Sequence, residues 1–168
     1  MILVGLPGAG KSTVGALVAA ALGAPFVDLD AAIERRAGKS VARLFEEDGE
    51  PAFRALEAEL GGAALAGPPS VVAPGAGFFA RDVTRALTRG SGLVVYLETG
   101  PEEAAARLGG AAGRPLLGGG DAGPRIAALL AAREPSYRGA DRVVATGRRR
   151  PDEVAAEVVS LARDLAGW

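Results

Sequence analysis

The amino-acid sequence predicts a three-layer α/β domain in which a five-stranded parallel sheet is flanked by helices. Three observations predict it. Short β-branched runs alternate with longer alanine- and leucine-rich stretches, the pattern of strand–helix–strand units. The runs show no polar/apolar alternation, as expected of strands buried on both faces of a parallel sheet. Helix caps and first-turn prolines punctuate the long stretches where the chain must turn. The 168 residues suit a single domain over 1–168, long enough to bury a sizeable core.

The elements follow in order. "ILV" (2–4) reads as the first strand, and residues 12–22, "STVGALVAAAL", as a helix stopped by Gly23, a good C-terminal cap. "FVD" (26–28) is the second strand, followed by helices over 31–37 and 40–66, the latter broken near Gly49. "SVVA" (70–73), "LVVYL" (93–97) and "RVVAT" (142–146) complete the strands. Helices fit 81–89, 101–108, 124–133 and 151–166, with Pro101, Pro124 and Pro151 in first turns that tolerate proline. Ligands of such sheets bind beyond the carboxyl ends of the strands, so the site is expected just after residues 4, 28, 73, 97 and 146. One low-complexity stretch, "LGGAAGRPLLGGGDAG" (108–123), has Arg114 at its middle. Long loops inside compact domains are usually functional or disordered, and this one is expected to be a mobile lid over about 109–123.

Composition narrows the chemistry. Lysine plus arginine number 19 and aspartate plus glutamate 20, so no global field draws the chain to nucleic acid or membrane. The Arg148–Arg150 run lacks the aromatic interleaving of a nucleic-acid surface. There is no cysteine and no histidine, which excludes disulfides, thiolate nucleophiles, the usual zinc sites and any imidazole base. Proton chemistry must fall to carboxylates or lysine. A strand expected from Ile2 is too early for a signal peptide with a charged leader and an apolar run before it, and no uninterrupted apolar stretch approaches the roughly 20 residues of a membrane span, so neither is expected. The expectation is a cytoplasmic monomer.

"GLPGAGKS" (5–12) satisfies G-x-x-x-x-G-K-[ST], follows a strand and opens a helix, as a phosphate-binding P-loop must. Gly5, Gly8 and Gly10 let the backbone curl, so that N–H groups through Gly8, Ala9 and Gly10 point at an anion near the positive end of the helix. Lys11 is placed to reach the β- and γ-phosphates, Ser12 to ligate Mg2+ and Thr13 to face the base-side phosphates. This is a nucleoside triphosphate site.

"FVDLDAAIE" (26–34) puts Asp28 and Asp30 two residues apart, on one side of a strand end. Asp30 either caps a helix beginning at Ala31 or orients an acceptor hydroxyl and takes its proton; the other carboxylate then lies near the magnesium shell. In "GKSVARLFEEDGEPAFRALEAEL" (38–60) the apolar stripe is Val41, Leu44, Phe45, Phe53, Leu56 and Leu60. Arg54 lies off it, and spacing alone predicts a solvated side chain.

Across nearly the whole chain these residues resemble the shikimate kinase family, through "GLPGAGKST", "DLDAAIE", "GKSVARLFEEDGEPAFRALE", "GRPLL" and "REPSYR" in that order. The first motif is shared by many nucleotide-binding proteins; the other four together are specific. The resemblance implies transfer of the γ-phosphoryl of ATP to the 3-hydroxyl of shikimate, with Mg2+, in aromatic amino-acid biosynthesis. It implies that Asp28 holds the metal with Ser12, that Asp30 binds shikimate hydroxyls and acts as base, and that Arg54 and Arg133 clamp the carboxylate while Glu57 fixes Arg54. It implies an acceptor-binding region over about 31–61, a substrate-binding turn at Gly75, Ala76 and Gly77, closure of Arg114 over the phosphates, and adenine between Arg107 and Pro151. Arginine suits a carboxylate because its planar fork bonds bidentately.

The match departs at Ala76, where the family carries the middle of three glycines. Its methyl disfavours φ > 0 and occupies space, so the change is either tolerated in a flexible turn or alters acceptor affinity or identity. The glycine-rich lid costs more entropy to order. Two other readings stand beside the first: a kinase for another small hydroxylated carboxylic acid, and a nucleotide-binding paralogue with weakened catalysis.

Overall fold

The structure, a computed structural model, describes residues 1–109 and 122–168. Arg114 and most of the expected lid lie outside the described residues. The elements run β1 (Ile2–Val4), α1 (Lys11–Leu22), β2 (Phe26–Asp28), α2 (Leu29–Ala37), α3 (Val41–Glu47), α4 (Gly49–Ala66), β3 (Val71–Ala73), α5 (Asp82–Thr88), β4 (Val94–Glu98), α6 (Pro101–Gly109), α7 (Ala122–Tyr137), β5 (Arg142–Ala145) and α8 (Pro151–Ala166).

Hydrophobic burial assembles the strands in the order β2-β3-β1-β4-β5, with every pairing parallel. Asp28 stands opposite Ala73 and Val4 opposite Tyr96, so the carboxyl ends of the strands share one edge. Chain order reverses about β1, which lies between β3 and β4, and ligands of open α/β sheets bind at such a switch point. The phosphate loop leaves the sheet there.

β1 and β3 are buried throughout and β4 up to Leu97, as uninterrupted apolar runs require. The edge strands correct the expectation of burial on both faces: β2 is half-buried and β5 buries only Val144. Each has a neighbour on one side only. Beside the main core, Leu29, Ile33, Leu44, Phe53 and Phe78 form a second cluster, with Val41, Phe45, Leu56 and Leu60 packed on it. The predicted stripe of α3 and α4 therefore packs this helical region on the second cluster.

Several boundaries moved, most by a residue or two, and two of the shifts bear on the site. α2 begins at Leu29 rather than Ala31, because Asp28 is its N-cap and accepts from the Ala31 N–H at 3.1 Å. Asp30 is thus inside the first helical turn; it is not the cap, and the two aspartates do not share a side of a strand. α7 continues past the expected end at residue 133 and through Pro135. Proline removes one helical bond, but Tyr137 is fully buried and its ring stacks on Tyr96 at 5.1 Å, which holds the last turn in register. Among the described residues no helix is long and apolar enough to cross a membrane.

Candidate active site

At the end of β1 the chain turns sharply through Gly8 and Gly10, with φ of 83° and 91°. Glycine adopts this left-handed region without strain. A Cβ on Gly8 would also lie 2.6 Å from the Ala104 carbonyl oxygen, so α6 leaves no room for a side chain there. Gly10 is the N-cap of α1 and makes no side-chain cap, leaving first-turn N–H groups to an anion. Lys11 Nζ curls back over the loop and donates to the Gly5 and Leu6 carbonyls at 3.0 and 2.9 Å. Ala9 is buried, while Ser12 and Thr13 are exposed at the mouth.

Ser12 Oγ donates to Asp28 Oδ2 at 2.5 Å, while Asp28 Oδ1 accepts from Ala31. The cap thereby aims the second carboxylate oxygen at the helix α1 hydroxyl, and two hard oxygen donors meet beside the phosphate loop. No group of three or more metal-binding side chains occurs among the described residues. A site of one carboxylate and one hydroxyl suits Mg2+, which keeps several waters and takes further oxygens from phosphate. Arg107 of α6 donates to the carbonyl oxygens of Gly8 and Thr146 at 3.3 and 3.4 Å, and also to that of Gly147. It therefore ties the phosphate loop to the turn between β5 and α8, whose far end is the exposed Pro151.

The residues expected to bind the acceptor converge on the turn after β3. A Cβ on Gly75 would lie 2.9 Å from Asp30 Oδ1 and 3.3 Å from Glu57 Oε1; one on Gly77 would lie 3.1 Å from Arg54 Nη1 and 3.7 Å from Arg133 Nη2. The structure thus brings Asp30 of α2, Arg54 and Glu57 of α4 and Arg133 of α7 around one stretch of backbone. Ala76 carries no strain, because no non-glycine residue among those described has positive φ. Its carbonyl accepts from Tyr137 Oη at 2.6 Å, a bond to backbone that a methyl does not obstruct.

Arg54 is not the solvated residue its spacing suggested. Its side chain is 20% exposed, lies over the Phe53 ring at 5.1 Å, and donates to Glu57 Oε2 at 2.9 Å and to Glu50 Oε1 from Nε and Nη2 at 3.0 and 2.9 Å. Burial works against its charge, but Glu57 and Glu50 outweigh burial and hold the guanidinium firmly protonated. Glu57 is 1% exposed. Burial pushes its carboxyl above the ordinary range, and the neighbouring Arg54 and Arg81 only partly offset this. Sequence reasoning missed two members of this cluster. Tyr137 sits inside "REPSYR", of which only Arg133 carried a role; Arg81, with Nη1 3.6 Å from Glu57 Oε2, has no signature in the chain.

The profile of the family described as Shikimate kinase matches residues 7–163. The chain belongs to the shikimate kinase family. The shikimate kinase of Thermobifida fusca is 48% identical over 99% of this chain and 95% of its own length. That of Mycobacterium avium is 45% identical over 95% of this chain and 90% of its own. The solved shikimate kinase of Acinetobacter baumannii in complex with shikimate superposes with a TM-score of 0.92 at 33% identity, covering 97% of this chain and 92% of that one. The five-stranded parallel sheet is therefore that of the shikimate kinase fold.

Proposed function

We propose that this chain transfers the γ-phosphoryl group of ATP to the 3-hydroxyl of shikimate, giving shikimate 3-phosphate and ADP in the route to chorismate and the aromatic amino acids. The observation that carries the reading is the convergence of Asp30, Glu57, Arg54 and Arg133 on the Gly75–Gly77 turn, on the same sheet edge as the phosphate loop. In a member of this family, two arginines beside a carboxylate base suit an acceptor with one carboxylate and several hydroxyls.

The loop N–H groups through Gly8, Ala9 and Gly10, with Lys11, Ser12 and Thr13, hold the triphosphate, and the adenine lies between Arg107 and Pro151. Ser12 and Asp28 would hold Mg2+, which neutralises charge on the phosphate oxygens when bound. Arg54 and Arg133 grip the acceptor carboxylate. Asp30 orients the hydroxyl and takes its proton as the new O–P bond forms and the bond from the γ-phosphorus to the bridging oxygen breaks, the electron pair leaving with ADP. Arg114 stabilises charge on the transferring group, in a lid over about 109–123. The acceptor-binding region is about 31–61 with the Gly75–Gly77 turn, and the protein works as a cytoplasmic monomer. Positioning and electrostatics supply the rate, and no covalent intermediate is needed.

The test is ADP release from Mg-ATP with and without shikimate, with other hydroxylated carboxylic acids in parallel. Release that depends on shikimate and vanishes in Asp30→Asn is the expected result. Stimulation by a different hydroxy acid alone would move the substrate assignment, and nucleotide binding without stimulation by any acid would overturn the reading.

A further inference from the structure

Glu57 is addressed by two guanidinium groups at one oxygen. Arg54 Nη1 donates to Oε2 at 2.9 Å, and Arg81 Nη1 stands 3.6 Å from the same Oε2. Arg81 enters from the segment between β3 and α5, and its Nη1 is buried with no hydrogen-bond partner among the described residues. Glu57 Oε1 is likewise buried and without a hydrogen bond, and it faces the Gly75 position that Asp30 also faces. Two carboxylates are thus held beside one glycine, one of them almost wholly out of water. Like charges so placed drive one of the pair to take a proton unless cations balance them.

Arg54 does not supply that balance alone once an acceptor is present. Its guanidinium already serves Glu50 and Glu57 and, on the proposed function, serves the acceptor carboxylate as well. Arg133 of α7 faces Gly77 and is committed to the same carboxylate. Resting on that reading, we propose that Arg81 is a positioning residue of the acceptor site: it braces the Glu57 carboxylate as a second cation, so that Glu57 keeps its charge and Arg54 its orientation when an anionic acceptor draws on Arg54. Arg81 touches neither substrate; it acts through Glu57. The groups facing Glu57 are Arg54 on its own helix, Asp30 from α2 and Arg81 from the β3–α5 segment, so removing Arg81 leaves one cation against two carboxylates.

The experiment follows the Glu57 side-chain carboxyl by 13C NMR across pH in the ligand-free protein, alongside steady-state kinetics, for wild type, Arg81→Met, Arg81→Gln and Arg81→Lys. Loss of the cation raises the Glu57 titration midpoint by about one pH unit in the Met and Gln variants. In both, KM for shikimate rises about five- to tenfold, steepening towards acid pH, while kcat and the KM for ATP stay within about twofold of wild type. Arg81→Lys restores most of both effects. A Glu57 titration that does not move in folded Arg81→Met or Arg81→Gln overturns the proposal, as does a KM raised equally at every pH. Wild-type protein that fails to turn over shikimate sinks the assigned function instead, and the ligand-free titration still decides Arg81.

Discussion

The Asp28 carboxylate shows how one residue joins folding to chemistry. One oxygen caps α2 and the other receives the Ser12 hydroxyl, so the bond that starts the helix also orients the oxygen proposed to hold Mg2+. Asp28→Asn keeps a capping oxygen but removes the charge. It is expected to leave the melting temperature near wild type while raising the Mg2+ concentration for half-maximal activity at least about tenfold, read from a Mg2+ titration at saturating ATP. Glu57 makes a pH prediction. Burial raises its carboxyl, so it takes its proton at higher pH than an ordinary carboxylate, and the charge that anchors Arg54 is lost as pH falls through that point. KM for shikimate should therefore climb on mild acidification, before ordinary carboxylates titrate, and that inflection should be absent in Glu57→Gln. Stability moves the other way. A carboxyl more easily protonated when folded contributes fully below its unfolded value, and the contribution is lost as pH rises through the folded value. Acid unfolding of this protein does not originate at Glu57.

Among the elements, α7 couples the core to the Gly75–Gly77 turn, the proposed acceptor turn. It carries Arg133 and, one turn later, Tyr137, whose ring stacks on Tyr96 of β4 and whose hydroxyl reaches the Ala76 carbonyl. The helix thus sets the height of the turn that Arg133 faces. Tyr137→Phe keeps the stacking and leaves the carbonyl without that partner. The expected cost is about 1–3 kcal/mol of stability, measured by denaturant unfolding, with a raised KM for shikimate and an unchanged KM for ATP. Equal changes in both constants would mean that α7 does not act through the acceptor turn. Part of this was legible in the chain: "REPSYR" marked the neighbourhood of Arg133, and the apolar stripe of α3 and α4 marked a core-facing side, which packs on the second cluster. The continuation of α7 through Pro135 was not, because proline reads locally as a helix stop and only packing of the buried tyrosine outweighs it.

On the scale of the whole molecule, the groups proposed to hold nucleotide and acceptor arise from different elements and share one side of the molecule because a parallel sheet delivers all its carboxyl ends to one edge. The phosphate loop hangs on β1, whereas Asp30, Glu57, Arg54 and Arg133 hang on α2, α4 and α7. Asp30→Asn is accordingly expected to abolish shikimate-dependent turnover and leave Mg-ATP affinity within about threefold of wild type, measured by calorimetry; a parallel loss of nucleotide affinity would mean the two halves are not separable. By itself the sequence determined the strand–helix alternation, the phosphate loop with Lys11 and Ser12, the core stripes and the candidate arginines, because these depend on residue type at short spacing. Only the tertiary structure decided that Asp28 rather than Asp30 caps α2, that Ala76 sits without strain, that Arg54 is sequestered rather than solvated, and that Tyr137 reaches the Ala76 carbonyl and Arg81 the Glu57 carboxylate. Each of these depends on groups distant along the chain meeting at one point, and a buried charge takes its energy from what surrounds it, which residue order alone does not specify.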